Sequence, residues 1–290
     1  MSKRLLQLIT INIGDFKMVV LWRGMARSRK RHVQQDFLTR RGDRVRDGRG
    51  GKRAGAGRKP KGKRAGSPHK TRPTLQRRFP VHVVLRVVED MRNLRKRHMY
   101  KAIREATIAV ALRELHALEV GAFRIVHVSI QRDHIHLLVE ADHKTALSRG
   151  MQSFQISAAK HLNRAVSVKR TTRRRGTVFP DRFHQEIITT PKQARHALAY
   201  VLNNWRKHRE DRAQFAKTWR VDPYSTGIQF TGWKELEHAE VMWNKRESYQ
   251  PLVVYLPRTW LLYEGWTRHG RIPTTYVPSE KLVSRIAGEN

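Results

Sequence analysis

Two apolar runs separated by only three polar residues constrain the fold more than any other feature of this sequence. Residues 123–130 read FRIVHVSI, residues 134–141 read HIHLLVEA, and Gln131 to Asp133 join them. Both runs are short and apolar, which is typical of β-strands. A link of this length joins antiparallel neighbours, because parallel strands need a much longer crossover. The sequence therefore predicts an antiparallel sheet.

The segments around this pair supply another strand and two helices. Residues 79–88 (FPVHVVLRVV) place alternate apolar side chains on one face, which predicts a strand. Residues 93–118 have apolar side chains at helical spacing, and Gly121 follows at a position typical of a helix end. After Asp142, the expected N-cap, a second helix extends to about Val166.

A short strand and a third helix complete the order of elements. Residues 180–190 (PDRFHQEIITT) lead into the strand, and Thr190-Pro191 predicts the start of a helix that extends to about His208. The resulting order is strand, helix, strand, strand, helix, strand, helix. This order indicates the α+β class, with a ferredoxin-like antiparallel sheet, helices on one face and an added C-terminal helix.

The charge of the chain indicates a polyanionic partner. It carries 60 Lys and Arg against 24 Asp and Glu, a formal net charge of +36. Nucleic acid is the first candidate, since neutralising its phosphates releases condensed counterions. Ribosomal and membrane-surface proteins are also basic, so charge defines only a class of partner. The absence of cysteine excludes disulfides, cysteine nucleophiles and thiolate zinc sites, and no apolar run has the length of a membrane span.

Four polar side chains of the predicted strands and last helix can converge on one point. His134 and His136 are two residues apart on a strand and therefore point to the same side of the sheet. Tyr200 and Asn204 are four residues apart and share one face of a helix. Two imidazoles and an amide oxygen can hold Mg²⁺ or Mn²⁺ beside a tyrosine nucleophile. Such a cation offsets the charge that develops when a phosphodiester is attacked.

Each of these residues also has an ordinary structural explanation. A His-x-His pair on a strand is by itself more often structural than metal-binding. Tyr200 can be a core aromatic, because apolar side chains surround it in the helix sequence. A tyrosine hydroxyl is mostly protonated at neutral pH, so the nucleophile also needs nearby positive charge, from the metal or from Lys207.

The motifs together resemble the single-tyrosine HUH transposases, and in particular the REP-associated tyrosine transposases. The resemblance covers residues 79–232 and rests on PVHVVLRV, HIHLLVE, FPDRFHQEIITT and ARHALAYVLNNWRKH in that order. It implies that His134 and His136 bind the metal, that Tyr200 is the nucleophile, and that Asn204 is a third metal ligand.

The resemblance also implies a reaction and a partner. The enzyme would nick and rejoin single-stranded hairpin DNA through a covalent 5′-phosphotyrosine with Mg²⁺ or Mn²⁺, as a monomer or homodimer in the nucleoid of a bacterial cytoplasm. Family members often have Pro-Val after the asparagine, whereas this chain has Trp205-Arg206. The residues predicted to contact DNA phosphates are Lys169, Arg170, Arg173, Arg174, Arg175 and Lys207, and those predicted to stack on bases are Phe179, Phe183 and Trp205.

Composition and the resemblance together divide the chain into three predicted parts. Residues 1–78 form a basic, largely disordered arm, in which segment 41–66 holds eleven Lys and Arg among many glycines. Residues 79–232 form the transposase-like catalytic domain. Residues 233–290, rich in Trp and Tyr, form an appendage that can cover the catalytic helix, contact DNA or mediate an oligomer.

Two other functions stay open from the sequence. A DNA-binding protein that recognises repeated palindromes without cutting would have no physical reason to keep the four polar groups together. A basic RNA-binding factor could use the ferredoxin-like sheet as its platform, but it would carry aromatic side chains where positions 134 and 136 carry histidines.

Overall fold

A four-stranded antiparallel sheet lies at the centre of the structure. The computed structural model describes the backbone and side chains of residues 72–115, 121–168, 173–238 and 248–278, and the backbone alone of residues 8–13 and 16–21. The strands are β1 (Leu8–Ile13), β2 (Phe16–Leu21), β3 (Val81–Arg86), β4 (Phe123–Ile130), β5 (His134–Ala141), β6 (His184–Ile187) and β7 (Val254–Tyr255). The α-helices are α1 (Arg97–Leu115), α2 (Lys144–Ser167), α3 (Pro191–Lys207) and α4 (Trp260–Tyr263).

The strand order confirms the predicted fold class. The central sheet has the order β4-β5-β3-β6, and every neighbouring pair is antiparallel. The first strand of the sheet in chain order, β3, is therefore an inner strand between the third and the fourth, as in ferredoxin-like domains. None of the described helices is long and apolar enough to cross a membrane.

The register of the sheet separates two sets of side chains. Val81 and Val83 belong to a buried core that includes the apolar side chains of α1 and α2. His82 is paired with Leu138, and Leu138 is paired with His127, so these three side chains share the opposite face. Leu138 belongs to a second core, which it forms with α3. The face left open by α1 and α2 is thus the face that α3 covers.

The start of α3 follows the sequence prediction. The Thr190 hydroxyl accepts a hydrogen bond from the backbone N–H of Gln193, and the Gln193 side chain accepts one from the backbone N–H of Thr190, both at 3.2 Å. Pro191 is the first residue of the helix. This reciprocal capping fixes the first turn, and with it the register of every later residue of α3.

The predicted cap of α2 is wrong by one residue. The backbone N–H of Asp142 donates to the carbonyl of Ala122, so Asp142 still belongs to the end of the strand pair. Its carboxylate forms an ion pair with Arg77 at 3.1 Å. The cap is His143, whose Nδ1 accepts a hydrogen bond from the backbone N–H of Ala146 at 3.2 Å.

The outer side of α3 is held by the C-terminal part of the chain. The Asn203 amide donates to the carbonyls of Pro273 and Tyr276, and the Arg206 guanidinium donates to the carbonyl of Thr274. The buried apolar residues that follow α3 in this second core are Val221, Phe230, Trp233, Leu261, Leu262, Trp266 and Ile272. Of the three roles open to the appendage, its described part therefore fills the first and covers α3.

A hairpin lies within the predicted N-terminal arm. β1 pairs with β2 and also with β7, all antiparallel. Segment 41–66 lies outside the described residues. The division of the chain at residues 78 and 232 stays a prediction.

One buried ion pair connects the start of α1 to the segment after α3. Both terminal nitrogens of the Arg95 guanidinium donate to the Asp222 carboxylate at 2.8 Å. The Asp222 side chain is completely buried and that of Arg95 nearly so. Glu210 adds a second carboxylate, which lies 3.7 Å from Arg95.

Removal of this buried pair should cost far more stability than removal of a surface pair. We expect Asp222→Ala to lower the free energy of unfolding by about 3–5 kcal/mol, because it leaves Arg95 buried without its counter-ion. Asp211→Ala is the matched control, since the pair of Asp211 with Arg206, at 3.3 Å, is partly exposed and should contribute about 0–1 kcal/mol. Urea denaturation measures both, and equal losses would contradict the argument.

Candidate active site

Three histidines of the sheet meet Tyr200 of α3. The ring centroid of Tyr200 lies 5.4 Å from that of His136 and 5.8 Å from that of His82. The centroids of His134 and His136 are 4.8 Å apart. All four side chains are buried. The structure therefore brings the predicted pair of histidines to the predicted nucleophile and adds a third imidazole, that of His82.

Lys207 and His208 extend the cluster at the end of α3. Lys207 Nζ donates a hydrogen bond to the Tyr200 hydroxyl oxygen at 3.1 Å. This contact arises because the helix continues through Trp205-Arg206, and residues seven apart lie on the same side of a helix. The His208 ring lies 5.1 Å from that of His134. The sequence offered Lys207 both as a contact to DNA phosphates and as a positive charge beside Tyr200, and the structure places its ammonium group on the tyrosine.

Asn204 is the fourth predicted site residue, one turn after Tyr200. Its side chain is completely buried, and neither its Oδ1 nor its Nδ2 has a hydrogen-bond partner. The Nε2 atom of His136 is also buried without a partner. Such atoms typically cost about 1–3 kcal/mol each when nothing bonds to them. These partnerless atoms are therefore free to bond to a ligand.

Each of the two predicted metal-binding histidines has its Nδ1 atom engaged. His136 Nδ1 lies 3.0 Å from His82 Nε2. His134 Nδ1 lies 2.6 Å from the Asp133 carboxylate. Ligating histidines commonly use one ring nitrogen for the metal and hydrogen-bond the other to a fixed partner. Both rings therefore have Nε2 left for a ligand.

Burial keeps these imidazoles uncharged at neutral pH. Desolvation lowers the pKa of His136 well below its ordinary value, and the nearby His82 and His134 lower it further. Desolvation also lowers the pKa of His134, although the hydrogen bond to Asp133 acts against this shift. Burial raises the pKa of Asp133, but the hydrogen bond and charge of His134 outweigh it and hold the pKa below its ordinary value. Neutral imidazoles keep the lone pair that a metal needs.

The chemistry of this site fits a divalent cation. The described part of the chain contains no group of three or more His, Asp or Glu side chains arranged to hold a metal. The predicted set is a different one, with two neutral imidazoles and the Asn204 amide. The partnerless His136 Nε2 and Asn204 Oδ1 supply two of these donors. Nitrogen and amide oxygen donors without a carboxylate suit Mn²⁺ or Mg²⁺, with imidazole favouring the transition metal.

The predicted phosphate-binding loop is only partly described. Lys169 and Arg170 lie outside the described residues. Arg173 and Arg175 are exposed to solvent. Arg174 is half-buried, and its guanidinium donates to the Asn163 side chain and to the backbone carbonyl of Thr177. Arg173 and Arg175 are therefore the described members of this loop that are available to phosphates.

The three aromatic side chains predicted to stack on bases all contact other side chains of the protein. Trp205 is completely buried in contact with Trp219. The Arg72 guanidinium lies over the Phe183 ring, 3.4 Å from its centroid. Phe179 packs against the core that includes the apolar side chains of α1 and α2. The prediction was wrong for Trp205 because tertiary packing buries this side chain completely, which local sequence does not reveal.

His82 belongs to the site, although no motif of the sequence singled it out. His82 and His127 both lie on the site face of the sheet. His82 reaches the site, whereas His127 Nδ1 lies 3.0 Å from the Thr226 hydroxyl and its ring contacts Phe230. The register between β3 and β5 made this difference, because it sets His82 close to His136 on the neighbouring strand.

One known protein family matches part of this chain. Residues 78–204 match the family described as "Transposase IS200 like". A search of curated proteins found no match.

Three solved structures are similar at low identity. A REP-associated tyrosine transposase bound to a REP hairpin is 16% identical, with a TM-score of 0.40, and the match covers 63% of this chain and 97% of that one. A transposase-like protein from Deinococcus radiodurans R1 is 10% identical, with a TM-score of 0.31 and coverage of 51% and 97%. A bacterial tRNA(His) guanylyltransferase-like protein in complex with GTP is 15% identical, with a TM-score of 0.32 and coverage of 49% and 66%.

The buried His127 should make the fold sensitive to acid. Burial lowers the pKa of His127 to about 4, whereas an unfolded histidine has a pKa of about 6.5. The unfolded state therefore binds more protons between these values, and stability falls as the pH falls from 6.5 to 4, by about 3 kcal/mol for this residue.

Urea unfolding at pH 7.5, 6, 5 and 4.5 measures this dependence. His127→Gln should have a shallower loss of stability with acid than the wild type, since the amide does not titrate. His136 remains in the variant and should retain its own acid sensitivity. Parallel curves for the two proteins would show that His127 does not contribute.

Proposed function

We propose that this protein, whose residues 78–204 match the family described as "Transposase IS200 like", nicks and rejoins single-stranded hairpin DNA through a covalent bond to Tyr200. The observation that carries the proposal is the contact of the Tyr200 hydroxyl with Lys207, beside the rings of His136 and His82. A tyrosine whose only role was to pack in the core would not need an ammonium group bonded to its hydroxyl oxygen. The net charge of +36 supports a DNA substrate.

In the proposed reaction, the Tyr200 oxygen forms a bond to the phosphorus and the bond from phosphorus to the 3′ oxygen breaks. The tyrosine proton leaves to solvent, and the released 3′ oxygen takes up a proton to become a hydroxyl. The Lys207 ammonium stabilises negative charge on the tyrosine oxygen, since it already donates to that atom. The product is a 5′-phosphotyrosine, whose reversal by a 3′-hydroxyl rejoins strands without ATP.

His134, His136 and Asn204 are proposed to hold a divalent cation. Once bound, the cation would supply charge to a non-bridging phosphate oxygen. Support comes from the buried, partnerless donor atoms of His136 and Asn204 and from the uncharged state of both imidazoles. The REP-associated branch of the family, and hence a palindromic hairpin as substrate, also belongs to this proposal.

His82 is proposed to fix which nitrogen of His136 carries the proton. When His136 Nδ1 carries it, that atom donates to His82 Nε2 at 3.0 Å and the buried Nε2 of His136 keeps its lone pair. The opposite tautomer would bury an N–H group without an acceptor. His82 is thus a positioning residue, because it orients a metal ligand and does not bind the metal itself.

The covalent adduct is the direct test of the nucleophile. The wild-type protein should form a protein-sized labelled band on a denaturing gel with 3′-labelled single-stranded hairpin DNA and Mn²⁺ or Mg²⁺. Tyr200→Phe should form none, and EDTA should abolish the wild-type band. A band of undiminished intensity with Tyr200→Phe would refute the assignment of the nucleophile. Binding without any covalent band, over several hairpins and both metals, would instead support a palindrome-binding protein that does not cut.

The tautomer of His136 can be measured without metal and without activity. ¹⁵N NMR of the metal-free protein should show His136 protonated at Nδ1. His82→Gln should keep that tautomer, because the amide oxygen accepts the same hydrogen bond, and His82→Leu should lose it. Binding of Mn²⁺, measured by calorimetry, should weaken by about ten-fold or more in His82→Leu and should recover in His82→Gln. Unchanged tautomer and affinity in His82→Leu would exclude the positioning role.

A further inference from the structure

A solvent-exposed phenylalanine lies just beyond the end of α3. Phe215 has 67% of its surface exposed. Its ring packs edge-on against Trp219, with centroids 5.5 Å apart, and Trp219 in turn contacts the buried Trp205 of α3 at 6.4 Å. Trp219 and Trp205 therefore connect the Phe215 ring to α3, the helix that carries Tyr200. This arrangement makes a flat apolar face that is held in place and open to solvent.

Four basic residues lie close to Phe215 in the chain. Arg209, Arg212, Lys217 and Arg220 are all exposed. Within the range that the structure describes, none of these four forms an ion pair with a carboxylate. We call Phe215 and these four residues, with Trp219 behind them, the 209–220 surface.

The two carboxylates of the same stretch do not neutralise this surface. Glu210 lies 3.7 Å from Arg95 and 3.8 Å from Arg132. Asp211 lies 3.3 Å from Arg206. Each carboxylate is thus already matched by arginines that lie outside the surface. The charge of the 209–220 surface is complementary to a polyanion.

The surface follows directly on the proposed active site in the chain. Lys207 donates to the Tyr200 hydroxyl, and His208 packs against His134. Arg209 comes next, in the left-handed backbone conformation with φ of 57°, and it turns the chain out of the helix. A strand whose phosphate reaches Tyr200 would leave the site beside this turn.

We propose that the 209–220 surface binds the single-stranded DNA that flanks the cleaved bond, with Phe215 stacking on one base and the four cations contacting phosphates. Aromatic rings within a basic groove are the usual means of binding single strands without reading sequence. An unpaired base can offer its flat face to Phe215, whereas the bases of a hairpin stem are already stacked. The proposal rests on the function proposed above and adds the place where the unpaired part of the substrate lies.

The test compares a hairpin with single-stranded tails against the same hairpin with blunt ends. Binding of each fluorescein-labelled oligonucleotide is measured by anisotropy in EDTA, so that neither metal nor cleavage contributes. Phe215→Ala should weaken binding of the tailed hairpin by between about five-fold and a hundred-fold and leave binding of the blunt hairpin unchanged. Tyr263→Ala is the matched control, since Tyr263 is 70% exposed but lies on α4, and it should change neither.

The charged part of the surface has a separate measurement. For the tailed hairpin, a plot of log affinity against log salt has a negative slope. The double variant Arg212→Ala, Lys217→Ala should make this slope less steep, by about 0.7 for each lost phosphate contact. An unaltered slope, together with equal affinity of Phe215→Ala and wild type for the tailed hairpin, would overturn the proposal.

The outcomes also separate this proposal from the proposed function. Loss of tail binding in Phe215→Ala combined with no covalent adduct in the wild type would keep the surface and refute strand transfer. A Tyr200-dependent adduct combined with full tail binding in Phe215→Ala would keep strand transfer and refute the surface.

Discussion

Burial of α3 between the sheet and the C-terminal segment is the interaction on which the rest of the structure depends. The sheet has apolar side chains on both faces, and α1 and α2 cover only one of them. Covering the second face with α3 removes apolar area from water, at about 25 cal/mol for each Å². The same contact moves Tyr200 onto the histidine side of the sheet. Because Asn203 and Arg206 bond the outer side of α3 to the chain beyond residue 270, the helix is held on two sides within one chain.

The same burial sets the chemistry of the site. A histidine in water would be partly protonated near neutral pH, whereas desolvation leaves His134 and His136 uncharged and able to bind a cation. The site also keeps buried donor atoms without partners on His136 and Asn204. The ammonium group of Lys207, at the end of α3, donates a hydrogen bond to the phenolic oxygen of Tyr200. These buried polar atoms make the fold less stable than apolar side chains in the same positions would. Such a loss of stability is typical of sites that bind a ligand.

The position of α3 also bears on the choice between nucleic-acid functions. An RNA-binding ferredoxin-like domain uses the open face of its sheet as a stacking platform. Here that face is filled by α3, and Leu138 at its centre is completely buried. An exposed aromatic side chain is found instead beyond the end of α3, at Phe215, in a stretch with several exposed cations. In our proposals, the sheet and α3 together hold the reacting groups, and the segment that follows α3 binds the single strand.

The sequence by itself determined the order of the elements, their approximate bounds and the side of the sheet on which His134 and His136 lie, because helix and strand periodicity are local. It also determined the start of α3 at Thr190 and the helical spacing of Tyr200 and Asn204. Only the tertiary structure decided which side chains become buried and in which register the strands pair. The pairing of β3 with β5 brings His82 to His136, and tertiary packing around the end of α3 buries Trp205. These outcomes depend on contacts between residues far apart in the chain, which no local pattern encodes.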